Sequence, residues 1–155
     1  MEKIVIRIFA FLLLFPLNAI ADTADGIKHY RAENYEQAYN SFFATVQEQE
    51  DAEAYYWLGI MYQKGQFVEQ HDFTALLNFE KAGYLKHVEA MREAIRYHLN
   101  GWGTTPNRAL AAFWLKMSAD NDPQYASQFK RFYGRLTTFE RLEYEKRIEN
   151  YQNQP

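Results

Sequence analysis

The chain has 155 residues, a formal net charge of −3 and no cysteine. This length fits one domain, the mildly acidic balance argues against binding to nucleic acids or anionic lipids, and the lack of thiols excludes disulfides, thiol catalysis and cysteine-ligated metals. The core must therefore form by packing alone, and the aromatic residues, 17% of the chain, can supply it.

The start of the chain is typical of a cleavable signal peptide. Lys3 and Arg7 precede an apolar run at 8–17 that is too short to span a bilayer, which disfavours the alternative of a retained anchor. The motif at 19–21, Ala-Ile-Ala, fits the small-x-small cleavage pattern. We expect a signal peptide at 1–21, export to the periplasm, and no membrane insertion of the mature chain, which would begin at Asp22.

The first predicted unit, 22–51, is a degenerate pair of helices. A short first helix is suggested by three spaced residues: Ala24, Ile27 and Tyr30. Asn34 and Gln37 form a plausible capping pair for a second helix. The apolar face of that helix would consist of Tyr35, Ala38, Phe42 and Thr45.

A shift of 36 residues then superimposes the segment 52–87 on 88–123. The coinciding pairs are mostly small or apolar: Ala54 with Ala90, Gly65 with Gly101, Ala75 with Ala111, Phe79 with Leu115. Small and apolar residues are the types that a helix–helix contact requires, so each segment is predicted to be one helix–turn–helix unit.

In unit 52–87, Asp51 can cap a helix that runs to about Lys64 and ends at Gly65. Its buried face is predicted to be Ala54, Leu58 and Met61. Asp72 can cap the partner helix. The apolar stripe of that helix is Ala75, Leu76, Phe79, Ala82 and Gly83.

Unit 88–123 repeats this design. Its first helix has the stripe Ala90, Ala94 and Tyr97 and ends at Gly101. The dipeptide at 105–106, Thr-Pro, is predicted to start the second helix, with proline at the first helical position. The residues of this helix expected to pack are Ala111, Trp114, Leu115 and Ser118.

The segment 124–152 is predicted to cap the array. A helix at about 125–133 is broken by Gly134, and Thr137 with Glu140 forms a capping box for a strongly charged last helix. A polar terminal helix keeps a stack of repeats soluble. The apolar contacts of this helix are predicted to be Phe139, Leu142 and Ile148, and residues 153–155 are predicted to be disordered.

The polar residues form no recognisable catalytic or metal-binding pattern. His87 and His98 are eleven residues apart, about 16 Å along a helix, and the other two histidines have no partner at a ligand spacing. The segment 101–103, Gly-Trp-Gly, lacks the Lys-Ser/Thr of a phosphate-binding loop and is interpreted as a turn between helices. We therefore predict a non-enzymatic protein without metal or cofactor.

Three segments resemble the Sel1-like repeat, a relative of the tetratricopeptide repeat. The segment 51–65 is similar to its first half, with Ala, Leu-Gly, Tyr and Gly at fixed spacings, and 72–82 and 113–120 are similar to its second half. The chain departs from the pattern at 94–95, where Ala-Ile replaces Leu-Gly, and at His98, where Tyr is usual. The resemblance implies a right-handed all-α solenoid of helix–turn–helix repeats with a charged C-terminal capping helix.

In the family's repeat, Leu58 and Tyr62 would point inward, and this implies which residues line the concave wall. The implied wall consists of Tyr30, Arg31, Glu53, Tyr56, Ile60, Gln63, Arg92, Arg96 and Leu99, with the loop residue Trp102 as a further exposed aromatic. Tyr and Arg are enriched in binding hot spots. The alternative is that this wall is ordinary solvated helix surface.

Members of the family serve as adaptors and scaffolds, often in bacterial envelopes. The resemblance therefore implies a protein–protein interaction module that holds a segment of another envelope protein on its concave face. The competing hypothesis is a module that binds peptidoglycan or another glycan by stacking Tyr56, Trp57 or Trp102 on a sugar.

Overall fold

The computed structural model describes residues 22–153, which contain eight α-helices and one short 3-10 helix. The predicted signal peptide, 1–21, and the last two residues of the predicted tail lie outside the described residues. The helices are α1 (Thr23–Arg31), α2 (Tyr35–Glu48), α3 (Ala52–Lys64), α4 (Asp72–Tyr84), α5 (Val88–Asn100), α6 (Arg108–Asn121), the 3-10 helix Pro123–Tyr125, α7 (Ala126–Tyr133) and α8 (Thr138–Gln152).

From α1 to α7 each helix packs against the next along the chain, and this order of contacts makes a solenoid. The tightest pairs are α1 with α2, α3 with α4, and α5 with α6, while α8 packs back onto α6 within the same chain. The predicted all-α solenoid is confirmed. Within 22–153 there is no strand, and no helix there is both long and apolar enough to cross a membrane.

Several predicted helix ends are confirmed. The Asp51 carboxylate accepts the backbone N–H of Ala54 at 2.7 Å and so begins α3, and Gly65 ends it with a φ of 66°. Gly101 ends α5 in the same way. At α8, Thr137 and Glu140 form the predicted capping box with both reciprocal hydrogen bonds.

Two other predicted helix starts are wrong by one or two residues. The cap of α4 is His71, not Asp72, because the His71 Nδ1 accepts the backbone N–H of Thr74 at 3.2 Å. The cap of α6 is Asn107, so Pro106 precedes the helix and does not lie inside it. Imidazole is outside the usual set of capping side chains, and Asn caps better than Thr, which accounts for both shifts.

The start of the chain differs in one detail. Asn34 stands at the first position before α2, but its side chain makes no capping hydrogen bond because its backbone, at φ −81° and ψ 68°, is not extended as a cap requires. The predicted short first helix is present as α1, where the buried residues are Thr23 and Gly26 and Ala24 is exposed.

The core is held by aromatic rings that press against glycines of neighbouring helices. A Cβ atom added to Gly59 of α3 would lie 2.6 Å from a ring carbon of Phe79 in α4. A Cβ atom added to Gly26 of α1 would lie 2.5 Å from a ring carbon of Phe42 in α2. In the third pair, the positions equivalent to Gly59 and Phe79 hold Ile95 and Leu115. The third pair thus has a side chain on α5 where α3 has none, and a smaller one on α6 than the phenylalanine of α4.

The buried face of α8 is the predicted one only at Ile148, which packs against the core. Phe139 and Leu142 are 76% and 66% exposed, whereas Tyr144 is buried. The Arg147 guanidinium lies 5.3 Å from the centre of the Phe113 ring, and the Asn107 side chain donates to Glu143 at 2.8 Å. Polar and aromatic contacts with α6 therefore determine which face of α8 is buried, and they leave Phe139 and Leu142 exposed.

Candidate partner-binding site

An open groove of about 590 Å³ separates α5 from the 3-10 helix and α7. Its lining is mainly apolar, with arginines on the α5 side, and consists of Arg92, Ile95, Arg96, Leu99, Leu115, Tyr125 and Gln128. Leu115, only 1% exposed, forms its base. We call this feature the α5–α7 groove; three predicted wall residues, Arg92, Arg96 and Leu99, line it together.

The α5 side of the groove is basic. Arg92 and Arg96 are four residues apart on one helix face, and both are exposed. The Arg96 guanidinium donates to Glu93 at 2.9 Å, whereas Arg92 makes no ion pair within residues 22–153. An exposed guanidinium without a partner is free to pair with a carboxylate of a ligand.

The middle of the predicted wall is occupied by contacts between α3 and the start of α5. The Glu53 carboxylate accepts from Trp57 Nε1 at 2.7 Å and from His87 Nε2 at 3.1 Å. The Tyr56 ring stacks on the His87 ring at 4.5 Å, and burial raises the pKa of the Tyr56 hydroxyl. Glu53 and Tyr56 thus hold helices together, which leaves them less surface to offer a partner.

The remaining wall residues are dispersed. Tyr30 packs on Trp57 with the ring centres 4.6 Å apart and donates its hydroxyl to Gln66 at 2.7 Å. Ile60 is only 9% exposed and belongs to the core, so it is not available as a wall residue. Arg31, at the end of α1, is exposed and lines none of the three main cavities described in 22–153.

A second cavity, of about 320 Å³, opens beside the turn between α5 and α6. We call it the Trp102 pocket; its lining is mainly polar and consists of Gln63, Gln70, Asp72, Arg96, Tyr97 and Trp102. Burial raises the pKa of Tyr97 to about 12, so this hydroxyl stays protonated at any physiological pH. Gln63 and Trp102, both predicted from the sequence, are brought together here with Arg96.

Several lining residues of the α5–α7 groove could not be recognised from the sequence pattern. Ile95 is a departure from the repeat and Leu115 belongs to a packing stripe, yet both line the groove. Tyr125 and Gln128 reach it from the far side of the turn after α6. The one available signal was the position of Ile95 on α5, between Arg92 and Leu99.

The histidines have structural contacts. His71 and His87 cap α4 and α5, and His98, 3% exposed, lies 2.8 Å from the Glu80 carboxylate through its Nε2. Among residues 22–153, no three His, Asp or Glu side chains are grouped so as to hold a metal ion.

The sequence model of the Sel1 repeat matches residues 52–87 and 92–123. The fold is similar to the crystal structure of a Sel1 repeat protein from Oxalobacter formigenes, with a TM-score of 0.56, 21% identity, and 74% of this chain and 62% of that one covered. It is also similar to c5321, a protective antigen of uropathogenic Escherichia coli with an SLR fold. The TM-score is 0.67 and the identity 17%, with 79% of this chain and 27% of that one covered. The chain thus spans less than two thirds of either structure. No curated protein matches its sequence.

Proposed function

This chain is a Sel1-like repeat protein, and from that premise we propose that its α5–α7 groove binds a segment of another protein. Sel1 repeat proteins generally mediate protein–protein interactions and are typically non-enzymatic scaffolds. Stacked repeats create the extended surfaces that such interactions use. We infer the same adaptor role here, with no reaction catalysed.

The observation that carries this proposal is the combination of charge and apolar surface in one groove. Ile95 and Leu99 offer apolar contact above the buried Leu115, and Arg92 and Arg96 lie on the same helix, α5. Apolar contact supplies affinity, and the arginines select partners by charge. The segment that fits best therefore carries apolar side chains beside one or two carboxylates.

We place this interaction in the bacterial envelope, on the strength of the N-terminal sequence. The exported protein is expected to begin at Asp22, because the motif at 19–21 fits a signal-peptidase site after a short apolar run. Mass spectrometry of the protein recovered from the periplasmic fraction checks this. An intact Met1 on the exported protein would contradict it.

Arg92→Glu combined with Arg96→Glu is expected to weaken partner binding at least about tenfold, because it reverses the charge on one wall of the groove. Both side chains are exposed, and exposed ion pairs contribute only about 0–1 kcal/mol to stability, so the melting temperature should change little. The partner is first captured from envelope extract with the wild-type protein. Calorimetry at two salt concentrations then compares the variants.

The matched control is Lys28→Glu combined with Lys146→Glu, which changes the net charge by the same amount at exposed positions outside the groove. This control should bind as the wild type does. If the groove variant also keeps its affinity at both salt concentrations, the α5–α7 groove is not the binding site.

A further inference from the structure

The Trp102 pocket differs in chemistry from the α5–α7 groove. Its lining is mainly polar, and it contains a single indole ring, that of Trp102, which is 38% exposed. Tyr97 meets this ring edge-on with the centres 5.4 Å apart. The Arg96 guanidinium lies 5.5 Å from the ring centre. The ring is therefore held at the mouth of the pocket by both neighbours.

The turn that carries Trp102 is fixed in position. Gly103 has a φ of 66°, and a Cβ atom placed on it would lie 2.3 Å from the backbone nitrogen of Phe73 at the start of α4. The turn thus presses directly on the main chain of the neighbouring unit. A large ring held at the surface on a rigid turn is suited to contact a ligand, because little conformational entropy is lost on binding.

Two polar side chains line the pocket together with Trp102 and are unpaired. Those of Gln70 and Asp72 make no hydrogen bond within residues 22–153. The Gln63 side chain donates to Glu93 at 3.3 Å and also lowers the pKa of the neighbouring Tyr97 hydroxyl, so it is already engaged. An amide and a carboxylate therefore remain available beside an aromatic surface.

We propose that the Trp102 pocket binds a saccharide, with one sugar ring stacked on Trp102 and its hydroxyls bonded to Gln70 and Asp72. A pyranose has an apolar C–H surface and a rim of hydroxyls, and the C–H groups favour the negative face of an aromatic ring. The mainly polar lining matches that rim better than it matches an apolar peptide side chain. A cavity of about 320 Å³ is at the small end of ligand sites and suits one or two sugar rings.

The test uses the intact mature protein and three probes: chitotetraose, cellotetraose and maltotetraose. We expect calorimetry to detect binding of at least one of them. Trp102→Ala should weaken that binding about tenfold or more, whereas Trp102→Phe, which keeps an aromatic face, should stay within about threefold. Phe139→Ala, which removes an exposed ring of α8 far along the chain, should have no effect.

Two further variants keep the test decisive. If circular dichroism shows that Trp102→Ala disturbs the fold, Gln70→Ala with Asp72→Asn is used in its place and should also weaken binding. Arg92 lines the α5–α7 groove but not the Trp102 pocket. Arg92→Glu alone should therefore leave saccharide binding intact, even if the α5–α7 groove does not bind a protein segment. The inference is overturned if none of the three saccharides binds at millimolar concentration or if Trp102→Ala leaves their binding unchanged. It is also overturned if Trp102→Ala weakens only the binding of the partner protein captured from envelope extract.

Discussion

Phe79→Ala is expected to lower the free energy of unfolding by about 3–5 kcal/mol, since truncating a fully buried phenylalanine removes its apolar contacts and leaves a cavity. The ring is 0% exposed and lies between α3 and α5, with ring centres 6.0 Å from Tyr56 and 5.6 Å from Tyr97. Gly59 is pressed against it and offers no side chain that could fill the space.

Denaturant unfolding followed by circular dichroism measures this loss. Phe139→Ala is the control, because Phe139 is 76% exposed and its truncation should change the stability by no more than about 0.5 kcal/mol. A similarly small loss for Phe79→Ala would mean that α3, α4 and α5 do not share the core described here.

Gly103→Ala is expected to cost about 2–5 kcal/mol, from two effects that act together. A left-handed backbone with a φ of 66° costs a non-glycine residue about 1–2 kcal/mol. The added Cβ would also lie 2.3–2.5 Å from the backbone of Asp72 and Phe73, which cannot yield as a flexible side chain does.

Gly65→Ala separates these two effects. Gly65 has the same φ of 66°, but its added Cβ would come no closer than 3.3 Å to Gln70. We therefore expect a loss of about 1–2 kcal/mol there, mainly from the backbone conformation. Thermal melts of both variants give the comparison, and equal losses would show that the turn at Gly103 does not press on α4.

The features of the fold that could be predicted are the ones that depend on local chemistry. The glycine at the end of α3 and the capping box of α8 are each visible in a short stretch of sequence, and the 36-residue repeat is visible when the chain is compared with itself. The stripe that contains Phe79 is buried as predicted, because helical periodicity alone places those residues on one face.

The features that were missed depend on tertiary contacts. The buried face of α8 could not be inferred from hydrophobicity, because Phe139 and Leu142 are apolar and yet exposed. The contacts between α8 and α6 determine which face is buried. The hydrogen bond between the Glu53 and His87 side chains joins residues 34 positions apart, and no local sequence pattern indicates it.

The candidate sites divide in the same way. Arg92, Arg96 and Leu99 share one side of α5 because of helical spacing, so the sequence was sufficient to group them. The opposite wall, Tyr125 and Gln128, follows the turn after α6, and its position depends on how α7 packs. Ile60 lies on the correct helix, but a packed neighbour covers it.

The exchange of Gly59 and Phe79 for Ile95 and Leu115 has a consequence for how such arrays can diversify. The bulk that one phenylalanine supplies in the second pair is shared between two aliphatic side chains in the third, and the helices of both pairs pack closely. The helix that gains bulk then displays a branched aliphatic side chain on its outward side, where a glycine would display nothing. One unit can thereby acquire its own ligand preference while the neighbouring units keep their packing unchanged.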